Sequence, residues 1–156
     1  MSLFKHSPLT KLMVTRQRSL TLGEKQMARE VFGSNLKLDD IQIIAHRLVI
    51  KNYAISPNGN IYFHVKDWCE DFSTQPLNIQ SWLIHELTHV WQIQQGIAVI
   101  RKAMLDRRYS YVLEKGKAFL MYGVEQQAQM VQDYFVQSRL GKDCQSFKAC
   151  IPFLKS

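Results

Sequence analysis

The stretch Trp82-Leu83-Ile84-His85-Glu86-Leu87-Thr88-His89-Val90-Trp91 sets two histidines four residues apart inside an apolar run. On a helix, residues i and i+4 lie one turn apart on the same face. Both imidazoles can then reach one ion while Glu86, about 100° further round, faces a water on that ion. Zinc suits such a site, because three protein ligands leave a fourth position for water, whose pKa zinc lowers to about 7. Glu86 would take the proton of that water and later hand it to a leaving amine. A solvent-exposed face bearing two histidines by chance is the plain alternative. The flanking Trp82, Leu83, Ile84, Val90 and Trp91 argue against it, since they predict a mostly buried helix in which polar rings need a reason to be present.

A third ligand is required, and the longer pattern with a glycine and a third histidine fails because Gln92 and Gln95 stand at those places. Glu125 opens a later helix in Val124-Glu125-Gln126-Gln127-Ala128, where the small Ala128 lets that helix approach the metal helix. An acid in a first helical turn is also favoured by the macrodipole alone. Two His with a downstream helical Glu is nevertheless a recurrent catalytic zinc set. Asp133, two turns on, is the reserve, and Cys69, sixteen residues before His85, is a further candidate of a deformylase-like kind.

Outward from this core, the apolar stripe Ile79, Trp82, Leu83, Leu87, Val90, Trp91 predicts a helix from about Pro76 to Gly96. A second helix is expected over 97–105, a basic, tyrosine-bearing connection over 107–117, and a long helix from Val124 to near Gly141. Upstream, Thr21-Leu22-Gly23-Glu24 has the form of a capping box, with Met27, Ala28, Val31 and Phe32 at helical spacing before Gly33. The runs Ile41–Ile44 and Leu48–Ile50, rich in β-branched residues, and the alternation in Ile61–Lys66 predict strands. Ser56-Pro57-Asn58-Gly59-Asn60 reads as the turn of a hairpin between 48–55 and 61–66.

The chain has 156 residues, 46% hydrophobic and 21% charged, as expected of one globular domain. No apolar run nears the roughly 18–20 residues of a membrane span, and no Sec-type signal stands at the start. The net charge is +7, and Lys5, Lys11, Arg16 and Arg18 put four positive charges into the first 23 residues with no acid among them. Residues 1–19 are therefore read as a basic arm and a solvated, flexible terminus, with nucleic acid the weakest choice of partner. Three cysteines, Cys69, Cys144 and Cys150, favour a reducing compartment, with a Cys144–Cys150 bridge as the alternative elsewhere. Tyr109, Tyr111 and Tyr122 lie between the ligand helices, where a phenol could donate to an oxyanion. His46 and His64 read as polar-face strand residues, and Trp68, Trp82 and Trp91 as core.

These blocks together resemble the small gluzincin-type (HExxH plus Glu) zinc metallopeptidases, above all the bacterial Vgr-related ones, and more distantly the metallopeptidase-like core domain of contractile injection systems. The similarity runs through Leu20–Glu24, Val31–Gly33, Ser56–His64, Asp71–Ser73, Trp82–Gln92, Glu125–Ala128 and Asp133–Phe135. It implies His85, His89 and Glu125 as ligands of one Zn²⁺ per chain and Glu86 as general base. Many gluzincins carry an Asp one turn after the ligand Glu to orient a ligand His, whereas this chain has Gln129.

The expected fold is α+β and zincin-like: an N-terminal helix and a small, mostly antiparallel sheet, then a helical half carrying the zinc site, all within residues 1–156. The expected function is zinc-dependent hydrolysis of a peptide or peptide-like amide, the substrate lying along an edge strand at Ile61–Lys66. The rival of another class is a catalytically silent, zinc-stabilised adaptor of a secretion or toxin system. A cytoplasmic location, or export by a specialised secretion system without a Sec signal, fits either.

Overall fold

The computed structural model describes residues 8–154. In chain order the elements are α1 (Pro8–Met13), β1 (Val14–Ser19), α2 (Leu22–Phe32), β2 (Gln42–His46), β3 (Ala54–Ile55), β4 (Ile61–Phe63), α3 (Leu77–Gln94), α4 (Val99–Leu105), α5 (Val124–Arg139) and α6 (Gln145–Cys150). The α+β, zincin-like class expected from the sequence is the one observed, a small sheet followed by a helical half.

The four strands lie in the order β1-β2-β4-β3. β1 pairs antiparallel with β2, and β3 antiparallel with β4, but β2 and β4 run parallel, with Ile43 opposite Ile61 and Ala45 opposite Phe63. The period-2 alternation splits the faces. Ile43, Ile61 and Phe63 enter the main core, while Ile44, Val49 and Tyr62 form a second, smaller cluster with Val14.

Several expectations are corrected here. The hairpin is shorter than 48–55 and 61–66: Leu48 and Ile50 lie in the connection after β2, about 70% exposed, and Val49 alone turns inward. β4 is an internal strand, so the edge strand expected at Ile61–Lys66 is instead β3. The basic arm has regular structure over 14–19. There it is an edge strand, with Arg18 paired to Glu24 and Arg16 to Glu70; its residues 1–7 lie outside the described part. His46 is buried at the end of β2, edge-on to Tyr62, with its Nδ1 accepting from the Leu48 N–H. His64 follows β4 and caps the next turn by accepting from the Lys66 N–H.

α2 starts as its capping box requires. The Thr21 hydroxyl accepts from the Glu24 N–H, and the Glu24 carboxylate accepts from the Thr21 N–H at 2.8 Å. Glu24 is also fully buried. It accepts from Arg18 at 2.7 and 2.8 Å and from the Phe72 N–H at 2.7 Å, so one carboxylate ties β1, α2 and the 72–74 turn together. Gly23 allows this closeness, since a Cβ there would stand 2.1 Å from Ser73 Oγ.

α3 is buried on every side over residues 83–92, and Leu83, Ile84, Leu87 and Val90 have no exposed surface at all. It meets the sheet through Trp82, edge-on to Phe63 at 5.0 Å, with Phe63 stacked on Phe72 at 4.7 Å. Trp91 packs on Phe153 beyond α6, which the sequence reading did not separate from the chain end. Along its other side α3 packs on α5, whose Ala128, Met130 and Val131 are fully buried. Trp68 is only half-buried, beneath the guanidinium groups of Arg16 and Arg18.

Candidate metal centre

The α3–α5 contact brings His85, His89 and Glu125 together. One ligand atom from each lies within 4.8 Å of the others, a group able to hold a metal ion. Nε2 of His85 stands 3.3 Å, and Nε2 of His89 3.2 Å, from the same carboxylate oxygen, Glu125 Oε2.

Hydrogen bonds around the rings determine which nitrogens face that point. The Gln92 amide donates to Val124 O at 3.0 Å and Gln127 Oε1 at 2.9 Å, which turns its oxygen toward His89 Nδ1 at 2.8 Å. The Gln132 amide donates to Ser81 Oγ, whose own proton goes to Asn78 O, which turns the Gln132 oxygen toward His85 Nδ1 at 3.0 Å. Each Nδ1 faces an acceptor and carries the proton, leaving both Nε2 lone pairs aimed at the carboxylate oxygen. Three electron-rich atoms converging this closely need a positive charge among them, and a zinc ion suits two imidazoles and a carboxylate.

A proton fills that role when no metal does. Burial opposes a charged His89, yet its hydrogen bond with Glu125 and the charges of Glu86 and Glu125 hold its pKa up at about 9. Burial likewise opposes an ionised Glu125, but the two histidines keep its carboxyl well below the usual carboxylate range.

Glu86, on the turn of α3 between the histidines, is buried, and its Oε2 accepts from Ser56 Oγ at 3.2 Å. Ser56 follows directly on edge strand β3, so the sheet edge and the cluster adjoin. Of the three tyrosines between the ligand helices, Tyr109 borders the cluster, its ring centroid 5.9 Å from that of His85. Burial and the charges of Glu125 and Glu86 raise its phenol pKa. Tyr111 instead donates to Asp133 at 2.6 Å, and Tyr122 bonds backbone at Val112 and Glu114.

Asp133 and Cys69 lie outside the cluster. Asp133 accepts from Tyr111 and from Gln129 at 2.8 Å; Cys69 sits near Asp67, its carbonyl accepting from Arg18. The Cys144 thiol is turned to Lys142 O at 3.4 Å and the Cys150 thiol to Lys117 O at 3.7 Å. The sequence reading missed Gln92 and Gln132, which do the orienting work sought in an acid at position 129. Their positions gave a signal, three residues after His89 on α3 and seven after Glu125 on α5, both facing the contact between the helices. None of the helices among the described residues is long and apolar enough to cross a membrane.

No protein-family model matches the chain. It is 37% identical, over 136 aligned positions, to the type VI secretion system spike protein VgrG2b of Pseudomonas aeruginosa; the match covers 77% of this chain and 13% of the spike protein. The chain thus spans only about an eighth of that protein's length. The solved effector domain of Pseudomonas aeruginosa VgrG2b superposes with a TM-score of 0.74 at 33% identity, over 85% of this chain and 80% of that domain. With sequence and fold in agreement over most of both domains, the chain belongs to the family of the VgrG2b effector domain, as a Vgr-related, zincin-like domain with a cluster that can hold a metal ion.

Proposed function

We propose that this chain is a zinc-dependent metallopeptidase, hydrolysing a peptide or peptide-like amide bond, with His85, His89 and Glu125 holding the ion and Glu86 as general base. The carrying observation is the convergence of two correctly oriented imidazoles and a carboxylate beside a buried Glu86. Zinc at such a site supplies Lewis-acid polarisation of a water and of a carbonyl oxygen.

The chain's own groups do the rest. Ser56 engages Oε2 of Glu86, which leaves Oε1 to take the proton of the attacking water and deliver it to the leaving nitrogen. Tyr109, kept protonated by its surroundings, is the donor to the negative charge that develops on the carbonyl oxygen. The edge of β3 offers unpaired backbone groups to an extended peptide, and its continuation into Ser56 leads that peptide past Glu86. Kinship with a type VI spike effector domain supports delivery by a secretion system as the setting.

The test is Glu86→Gln, which keeps a hydrogen-bonding group but cannot accept the proton. Zinc content and circular dichroism should match the parent chain, while hydrolysis of any peptide the parent cleaves should vanish. Equal turnover by the variant would move the chemistry elsewhere. A parent chain that binds zinc yet cleaves no peptide, with Glu86→Gln harmless in the cell, would favour the adaptor.

A further inference from the structure

Glu125, Gln129 and Asp133 recur every four residues along α5, so they form one stripe leading away from the metal cluster. The 107–112 segment lies alongside. Tyr109, Ser110, Tyr111 and Leu113 with Gln129 and Asp133 line an open recess of 540 Å³, and the Tyr109 ring centroid lies 5.9 Å from that of His85. Asp133 in this lining is partly buried, each of its oxygens accepting one hydrogen bond: Oδ2 from Tyr111 and Oδ1 from Gln129. A carboxylate oxygen has two lone pairs, so Asp133 retains acceptor capacity and its full charge after both bonds are made. Among the described residues no ion pair joins it to a Lys or Arg of this chain. Asp133 lies eight positions after Glu125 on the helix, about 12 Å along the axis. An extended peptide rises about 3.3 Å per residue, so Asp133 lies within reach of a long side chain two or three residues from the bond at the metal.

We propose that this recess is a substrate subsite that takes a basic side chain, with Asp133 as the charge that reads it and Tyr109 as the wall for its aliphatic stem. The proposal rests on the peptidase reading and names its substrate class: peptides carrying Lys or Arg a few residues from the cleaved bond. Tyr111 and Gln129 are positioning residues, which hold the carboxylate at the wall of the recess.

The experiment reads binding, not turnover. Zinc-loaded Glu86→Gln protein is titrated with fluorescently labelled, end-blocked hexapeptides that differ only in Lys or norleucine at each position, by anisotropy at low and high salt. One or two positions should favour Lys by about tenfold, an advantage that shrinks with salt. Adding Asp133→Asn, which still accepts from Tyr111, should abolish the Lys advantage and leave norleucine peptides unchanged. Gln129→Lys, which supplies an internal cation to Asp133, should do the same by another route. Equal binding of Lys and norleucine peptides, or a Lys preference that survives both substitutions, overturns the subsite and leaves the peptidase reading standing. A parent chain that neither binds nor cleaves any of these peptides overturns both.

Discussion

Gln92 gives the sharpest test of how this centre is built. It is fully buried, accepts from His89 Nδ1 and donates to Val124 O and Gln127 Oε1. Gln92→Met conserves volume and removes all three bonds. Val124 O begins α5 and keeps its helical partner, so two buried groups lose theirs: the His89 N–H and Gln127 Oε1. At about 1–3 kcal/mol for each buried group left unpaired, the metal-free fold should lose roughly 2–6 kcal/mol. Zinc affinity should fall about 10- to 100-fold, roughly 1.4–2.8 kcal/mol, because the ring is no longer held with Nε2 toward Glu125. Gln132→Met makes the internal comparison. Gln132 is half-buried, so water can replace its oxygen at His85, and its effect should sit at or below the lower bound. Competition against a chelator gives the affinities, and urea unfolding of metal-free protein the stabilities. Zinc binding by Gln92→Met within twofold of the parent chain, or a larger loss in Gln132→Met, would refute the reasoning.

Three further outcomes are expected. Glu125→Ala should cost more zinc affinity than any supporting residue, beyond about 100-fold, while Cys69→Ser leaves it unchanged, the same chelator competition ranking the two. Zinc affinity should rise with pH by about tenfold per unit below about 9 and then level, because the proton His89 holds up to about 9 has to leave before its nitrogen can ligate; a flat profile in calorimetric titrations from pH 6 to 9.5 would contradict this. Gly23→Ala should destabilise by about 1–3 kcal/mol in urea, since the new Cβ meets Ser73 Oγ at 2.1 Å, and Ser73→Gly in the same chain should restore part of the loss.

What could be read in advance divides along physical lines. Helical periodicity is local, so α2, α3 and α5 and the i, i+4 histidines were visible in composition and spacing, and the candidate Glu125 meets them in space. Pairing partners of short strands are not local. Nothing in Gln42–His46 announces a parallel neighbour at Ile61–Phe63, and the Leu48–Ile50 run, rich in β-branched residues, resembles a strand although its two outer residues face solvent. Glutamine carries no charge to mark it, so Gln92 and Gln132 were hidden until the helices were placed face to face. Among three tyrosines in one connection, only the path of an irregular segment decides that Tyr109 meets His85 while Tyr111 turns to Asp133.

The Arg18–Glu24 pair bears on how the molecule comes apart. β1 is mostly solvated and pairs on one side only, which alone would make it the first element to fray. Peeling it back beyond Gln17, however, strips the guanidinium from a carboxylate with no exposed surface, at a cost of about 3–5 kcal/mol. Fraying therefore has a stopping point within the strand. The amides up to Gln17 exchange with solvent through small local openings, whereas those from Arg18 onward open only together with α2 and the 72–74 turn, so that a single buried charge sets the boundary of the cooperative unit.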